Sequence, residues 1–173
     1  MLKETVILVD ENDVEIGHEE KIVAHQKALC HRAFSVFILN KEKKILLQKR
    51  HSDKYHCAGL WSNTCCGHPR PGEITAAAAA RRLSEETGIC TELHDIGRFH
   101  YTAVFDNGLT ENEVDHVFHG LLTQDRFIIN GEEIEDIRWA SLEELVHLLD
   151  RYPQQFTPWL LPALALLKKI LRH

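Results

Sequence analysis

Apolar and polar positions alternate along "TVILVDENDVEIG", which reads as a strand, a polar turn and a short second strand. "HRAFSVFILNKEKKILLQKR" predicts two more strands around "NKEKK", with Phe34, Val36 and Ile38 alternating against Ser35 and Phe37. The period then changes. "GEITAAAAARRLSEETG" predicts a helix, because its run of alanines has high propensity and Gly88 suits the position just past a helix end. Strands are expected near Arg98–Val104 and Glu113–Leu122, followed by "FIINGEEIEDIRWA" with a turn at Asn130–Gly131. "SLEELVHLLDRY" opens on Ser141 with Glu144 placed for a capping box. A last helix over Pro158–Leu171 starts apolar and ends basic, as the helix dipole favours. Strands, one central helix, more strands and terminal helices predict an α+β (mixed α/β) sandwich, a single domain spanning residues 1–173.

Composition narrows the function classes. With 44% hydrophobic and 27% charged residues, the chain has the balance of a soluble globular protein. Its net charge of −6 provides no global field for nucleic acid, so a phosphate-bearing partner needs a local basic pocket. "WLLPALALL" is too short to span a membrane and contains Pro162. The N-terminus has no pattern of a signal peptide. Five scattered cysteines, with Cys65 and Cys66 adjacent, favour free thiols in a reducing cytoplasm. Twelve histidines direct attention to metal ligation.

Three spacings carry chemistry. In an extended segment Cys66 and His68 share one face and Cys65 takes the other. Glu111 and Glu113 likewise project together. On a helix Arg82 and Glu86 are four apart and share a face. Gly67, Glu73, Arg81, Leu83, Glu85, Glu86, Gly88 and Ile89 fall at the spacing of the Nudix box, whose loop–helix–loop presents glutamates to divalent cations holding a diphosphate. Arg82 stands where that box has its first helical glutamate. The change removes a ligand and adds a guanidinium fork suited to phosphate.

"NTCCGHP" followed by this altered box, with "AHQKALCHRAFS" before it and "FHYTAV", "TENEVDHVF" and "FTPWL" after it, resembles the type 1 isopentenyl-diphosphate isomerases. The resemblance runs from about Val6 to Trp159. It implies a Nudix-like fold with a mixed sheet sandwiched between helices. It also implies a metal-dependent shift of a double bond between isopentenyl and dimethylallyl diphosphate, through a tertiary carbocation. By position, His25, His31, His68, Glu111 and Glu113 match the family's divalent-metal ligands. Mixed imidazole and carboxylate ligands suit Zn²⁺ or Mn²⁺ better than Mg²⁺, which stays the third candidate at this site. A Mg²⁺ is expected between Glu86, the Cys66 carbonyl and the substrate phosphates, and Lys21, Arg50, Lys54 and Arg82 match the family's diphosphate contacts. Cys66 matches the catalytic thiol, and Tyr101 with Glu113 matches the acid-side pair facing it. Trp159 matches the ring that stabilises the cation, and Trp61 is expected to line the same pocket.

Other histidines (His18, His51, His56, His94, His100, His116, His119, His147, His173) read as surface or packing residues, Cys30, Cys57 and Cys90 as small buried hydrophobes, and Trp139 as core. His56 and Cys57 occupy a stretch where some relatives carry an aromatic residue and a second lysine. A monomer or weak homodimer acting on a small isoprenoid diphosphate is expected. The rivals are a Nudix hydrolase of a nucleoside diphosphate derivative and a non-enzymatic metal-binding module. Arg82 and the complete set of histidine, glutamate, cysteine and tryptophan positions argue against the first, and the presence of Cys66 and Glu113 against the second.

Overall fold

Both faces of the strand His31–Leu39 are buried, and this one strand organises the molecule. A computed structural model describes residues 4–54 and 57–172, so His56 and His173 lie outside the described residues. The elements run β1 (Thr5–Val9), β2 (Glu15–Glu20), α1 (Lys21–Gln26), β3 (His31–Leu39), β4 (Ile45–Arg50), β5 (Trp61–Ser62) and β6 (Cys65–Gly67). After these come α2 (Thr75–Thr87), β7 (His94–Val104), β8 (Thr110–Leu121), β9 (Ile134–Ala140), α3 (Leu142–Arg151) and α4 (Leu160–Leu171).

The sheet is mixed. β8 runs parallel to β3 with His31 opposite Glu113, while β6 pairs antiparallel with β3 through Ser35 and Cys66. A strand has two edges, so β6 and β8 flank β3 from opposite sides. β7 pairs antiparallel with β8 along almost its whole length, and β9 and β5 pair with β4. The alternation in β3 sorts its side chains between two apolar layers. Phe34, Val36 and Ile38 pack with Cys65 against Ala78, Ala79 and Leu83 of α2. Phe37 and Leu39 pack on the other face against Leu145 of α3 and Leu160, Ala163, Leu164 and Leu167 of α4. The helices therefore sandwich the sheet, as a buried mixed sheet requires.

Several boundaries differ from those read in the sequence. β7 begins at His94 and β8 at Thr110, because cross-strand pairing extends the hairpin beyond its apolar stretch. The register slips between Asp95 and Gly97, where Gly97 has φ 126° and its amide donates to Asp95 Oδ1. Of "FIINGEEIEDIRWA" only Ile134–Ala140 is strand. The preceding stretch instead crosses the end of α2, where the Asn130 amide donates to the Glu86 carbonyl at 2.7 Å. Gly88 ends α2 at φ 71°, and a Cβ there would lie 3.0 Å from the Ile128 carbonyl oxygen. Ser141 caps α3 by accepting from the Glu144 amide. α4 starts at Leu160 rather than Pro158, since the Thr157 amide is committed to the Trp61 carbonyl.

Candidate active site

Three imidazoles converge where α1, β3 and the end of β6 meet. His25 donates Nδ1–H to the Lys21 carbonyl at 2.7 Å, and His31 donates Nδ1–H to the Leu29 carbonyl at 2.9 Å. These bonds fix both rings and turn Nε2 inward, the arrangement that metal-ligating histidines require. With His68, the candidate ligand atoms all lie within 4.8 Å of one another. Glu113 closes the group, its Oε2 standing 2.8 Å from His68 Nε2 and 3.4 Å from His31 Nε2. The donor set fits a divalent ion.

Burial lowers the pKa of His25, and it pushes that of His68 down to about 4. Burial also opposes the charged form of His31, but the hydrogen bond and charge of Glu113 outweigh it and raise the pKa. Neutral imidazoles are the form that binds metal.

Alternation along β8 places Glu111, Glu113 and Asp115 on one face. Tyr101, opposite Glu113 in β7, directs its hydroxyl at both Glu111 Oε2 and Glu113 Oε1. Burial, reinforced by the Glu113 charge, raises the Glu111 pKa well above the carboxylate range. Burial and then the two carboxylates do the same to the Tyr101 phenol. Asp115 accepts from Ser35 Oγ at 2.7 Å, and burial raises its pKa as well.

Cys66 and Cys65 face opposite ways. Cys65 is fully buried in the α2 layer, with its thiol 3.6 Å from Glu86 Oε2, a contact beyond simple packing. Cys66 points to the other side, where Sγ lies 3.1 Å from Asn63 Oδ1 and 3.1 Å from Trp159 Nε1. Burial, then the nearby Asp115, push its pKa up to about 12, so this thiol carries its proton. The Trp159 ring is buried, stands 6.3 Å from the Tyr101 ring and lies under the Arg50 guanidinium at 5.4 Å.

One cavity of about 770 Å³ holds these groups. Cys66, His68, Tyr101, Glu111, Glu113 and Trp159 line it, as do Lys21, Arg50, Lys54, Arg82 and Glu86. At the basic end most of these cations are held by carboxylates: Lys21 pairs with Glu4, Lys54 with Glu133, and Arg82 with Glu85, Glu86 and Glu133. Gln48 donates to Glu86 Oε1 at 3.3 Å. Burial raises the Glu86 pKa despite Arg82.

Trp61 is a correction to the expected lining. It does not face this cavity but packs against the layer containing Phe37, held by pairing to Lys49 and by a bridge to Phe156. Cys90 is exposed rather than buried, and its thiol meets Ser84 Oγ. Sequence reasoning missed Ser35, Gln48, Asn63, Asp115 and Glu133. Asp115 had a signal, since it continues the Glu111–Glu113 alternation. Asn63 stands at the head of the "NTCCGHP" motif, but the role of its side chain comes from tertiary contacts alone.

A NUDIX domain family model matches residues 30–160. Isopentenyl-diphosphate Delta-isomerase 1 of Aromatoleum aromaticum is 51% identical over 159 residues, covering 92% of this chain and 89% of that relative. Isopentenyl-diphosphate Delta-isomerase 2 of Photorhabdus laumondii is 46% identical, covering 91% and 89%. Among solved structures, a Deinococcus radiodurans protein superposes with a TM-score of 0.73 at 15% identity, covering 95% and 98%. A MutT NUDIX hydrolase of Burkholderia pseudomallei does so with a TM-score of 0.63 at 22% identity, covering 79% and 96%. These two likenesses concern the fold alone.

Proposed function

The chain belongs to the NUDIX-domain isopentenyl-diphosphate Delta-isomerases, and on that premise we propose how its own residues perform the reaction. The substrate diphosphate enters the basic end of the cavity, where Lys21, Arg50, Lys54 and Arg82 take over its charge. That step exchanges the internal carboxylate partners of Lys21, Lys54 and Arg82 for phosphate oxygens. His25, His31, His68, Glu111 and Glu113 would hold Zn²⁺ or Mn²⁺, and Glu86 with the Cys66 carbonyl would hold the Mg²⁺ that arrives with the diphosphate. Bound there, the ions supply charge neutralisation and fix the groups around them.

The hydrocarbon end then lies between the Cys66 side and the Tyr101–Glu113 side. Adding a proton to the terminal CH₂ of the alkene gives a tertiary cation, and removing one from the carbon next to the CH₂O group gives the transposed alkene. The two sides divide these transfers, and reversibility requires each side both to give and to take a proton. Trp159 offers its ring face to the cation, and the buried walls keep out the water that would trap it. We further propose that residues 1–173 act as one catalytic unit, as a monomer or weak homodimer, in the cytoplasm.

The observation carrying this account is the shared cavity: a protonated thiol, an indole and a phenol–carboxylate pair meet within reach of a cationic end. Turnover of isopentenyl diphosphate with divalent metal, with dimethylallyl diphosphate identified by chromatography, tests it. An unchanged substrate pool would refute it.

A further inference from the structure

Asn63 is fully buried between β5 and β6 and meets five groups through one carboxamide. Its Nδ2 donates to the Val36 carbonyl at 3.1 Å and to the Cys65 carbonyl at 2.8 Å. Both acceptors are backbone oxygens, so the amide cannot be turned over without setting oxygen against oxygen. Its Oδ1 is thereby fixed on the cavity side. Three donors converge there: Ser62 Oγ at 2.8 Å, Trp159 Nε1 at 3.0 Å and Cys66 Sγ at 3.1 Å.

This geometry points to Asn63 as the positioning residue of the hydrocarbon end, and the inference rests on the isomerase reading above. Only Oδ1 can be the acceptor in the Asn63–Cys66 contact, so the S–H bond is aimed at Asn63. Ser35 and Ser62 lie farther off, 3.8 and 3.9 Å from the sulfur, so the Asn63 contact is the shortest open to the thiol proton. The same oxygen receives the indole N–H, which also meets Sγ at 3.1 Å. Thiol and ring are thus held as one unit by a side chain whose other end is bolted to β3 and β6. A proton-transfer group and the face that stabilises the cation must keep a fixed separation. Asn63 sets that separation without touching the substrate.

The test uses the metal-loaded full chain, comparing wild type with Asn63→Ala and Asn63→Asp. Intact sites are counted by the stoichiometry of magnesium pyrophosphate binding. Per counted site, kcat should fall about a hundredfold in Asn63→Ala, the scale of a misplaced reacting group. KM and pyrophosphate affinity should stay put, because among the described residues the hydrogen-bond partners of Asn63 include none of the cations at the diphosphate end. Asn63→Asp, which keeps an oxygen but loses both donors, should also lose kcat. Wild-type kcat per site in both variants would overturn the proposal, and so would kcat and pyrophosphate affinity falling together. A second measurement needs no Asn63 variant: the infrared S–H band that disappears in Cys66→Ser should lie at lower frequency than that of a small free thiol in an apolar solvent. A Cys66 band at the free-thiol position would overturn the proposal. Absence of wild-type turnover would sink the isomerase reading instead, while the infrared band still decides the role of Asn63.

Discussion

The indole nitrogen of Trp159 lies 3.1 Å from the sulfur of Cys66, although 93 positions separate the two residues. The contact is made because Phe156 and Thr157, just before α4, are anchored to Trp61 of β5, which carries the ring over β6. A desolvated cation on an indole face gains about 2 kcal/mol, equivalent to roughly 30-fold in rate. Trp159→Ala should therefore lower kcat by at least that factor, and Trp159→Phe, which keeps a ring, by less. Steady-state kinetics on both variants checks the order.

The adjacent thiols should behave differently. Cys66→Ala removes the group that meets the cavity and should cost about 10²–10⁴ in kcat, the range for a positioned proton-transfer group. Cys65→Ala leaves that face intact and should keep most activity, while costing about 1 kcal/mol of stability for a small buried void. Inactivation by the Cys65 change, with Cys66→Ala active, would reverse the assignment of faces.

Metal content provides a third check. The substrate-free chain should retain about one divalent ion through purification, since the histidine rings are already oriented by their Nδ1 bonds. The double variant His25→Ala, His68→Ala should lose both the ion and the activity. Full activity without a retained ion would rule out this ligand set.

Acid stability should depend on Glu73. Arg81 donates to both of its oxygens and the Arg70 amide to one, and the Arg81 hydrogen bond chiefly holds its pKa below the ordinary value of 4.5. A depressed carboxylate stabilises the fold above its unfolded pKa and loses that contribution as pH falls through the folded value. The pair lies half-buried at the surface, so Glu73→Gln should cost about 1 kcal/mol at neutral pH and progressively less below pH 4.5. Denaturant melts of both proteins across that range check the convergence.

Period and spacing made most of the fold legible. The strands before the box and the split between Cys65 and Cys66 follow from alternation, and the helix over the box follows from its alanine run and from Gly88, which ends it in the left-handed conformation. The extended hairpin of β7 and β8 was not legible, because strand length there comes from pairing. Asn63 and Glu133 escaped for a related reason. Asn63 opens the quoted "NTCCGHP" motif and Glu133 stands in no motif, but each acquires its partners only when β3, β6 and α4, or α2 and the 51–54 segment, are brought together. Trp61 misled because it is adjacent in sequence to pocket residues, while its strand turns the ring toward Phe37.

On the proposed mechanism, Arg82 is the position that separates isomerase from hydrolase chemistry. Its guanidinium lies 2.7 Å from Glu86, where a hydrolase would gather cations with a further carboxylate. Arg82→Ala should weaken binding of isopentenyl diphosphate by about 1.5–3 kcal/mol, the scale of a lost charge-assisted hydrogen bond. Titration calorimetry with magnesium pyrophosphate measures the loss without turnover, and unchanged affinity would remove Arg82 from the diphosphate contacts.

The most direct measurement follows isopentenyl diphosphate with the metal-loaded protein in heavy water, recording deuterium in the isoprenoid and free phosphate together. A panel of nucleoside diphosphate derivatives is run in parallel. The account predicts dimethylallyl diphosphate carrying solvent deuterium, with the diphosphate intact and the nucleotides untouched. Rapid phosphate release or nucleotide cleavage, with no deuterium entering the isoprenoid, would contradict it.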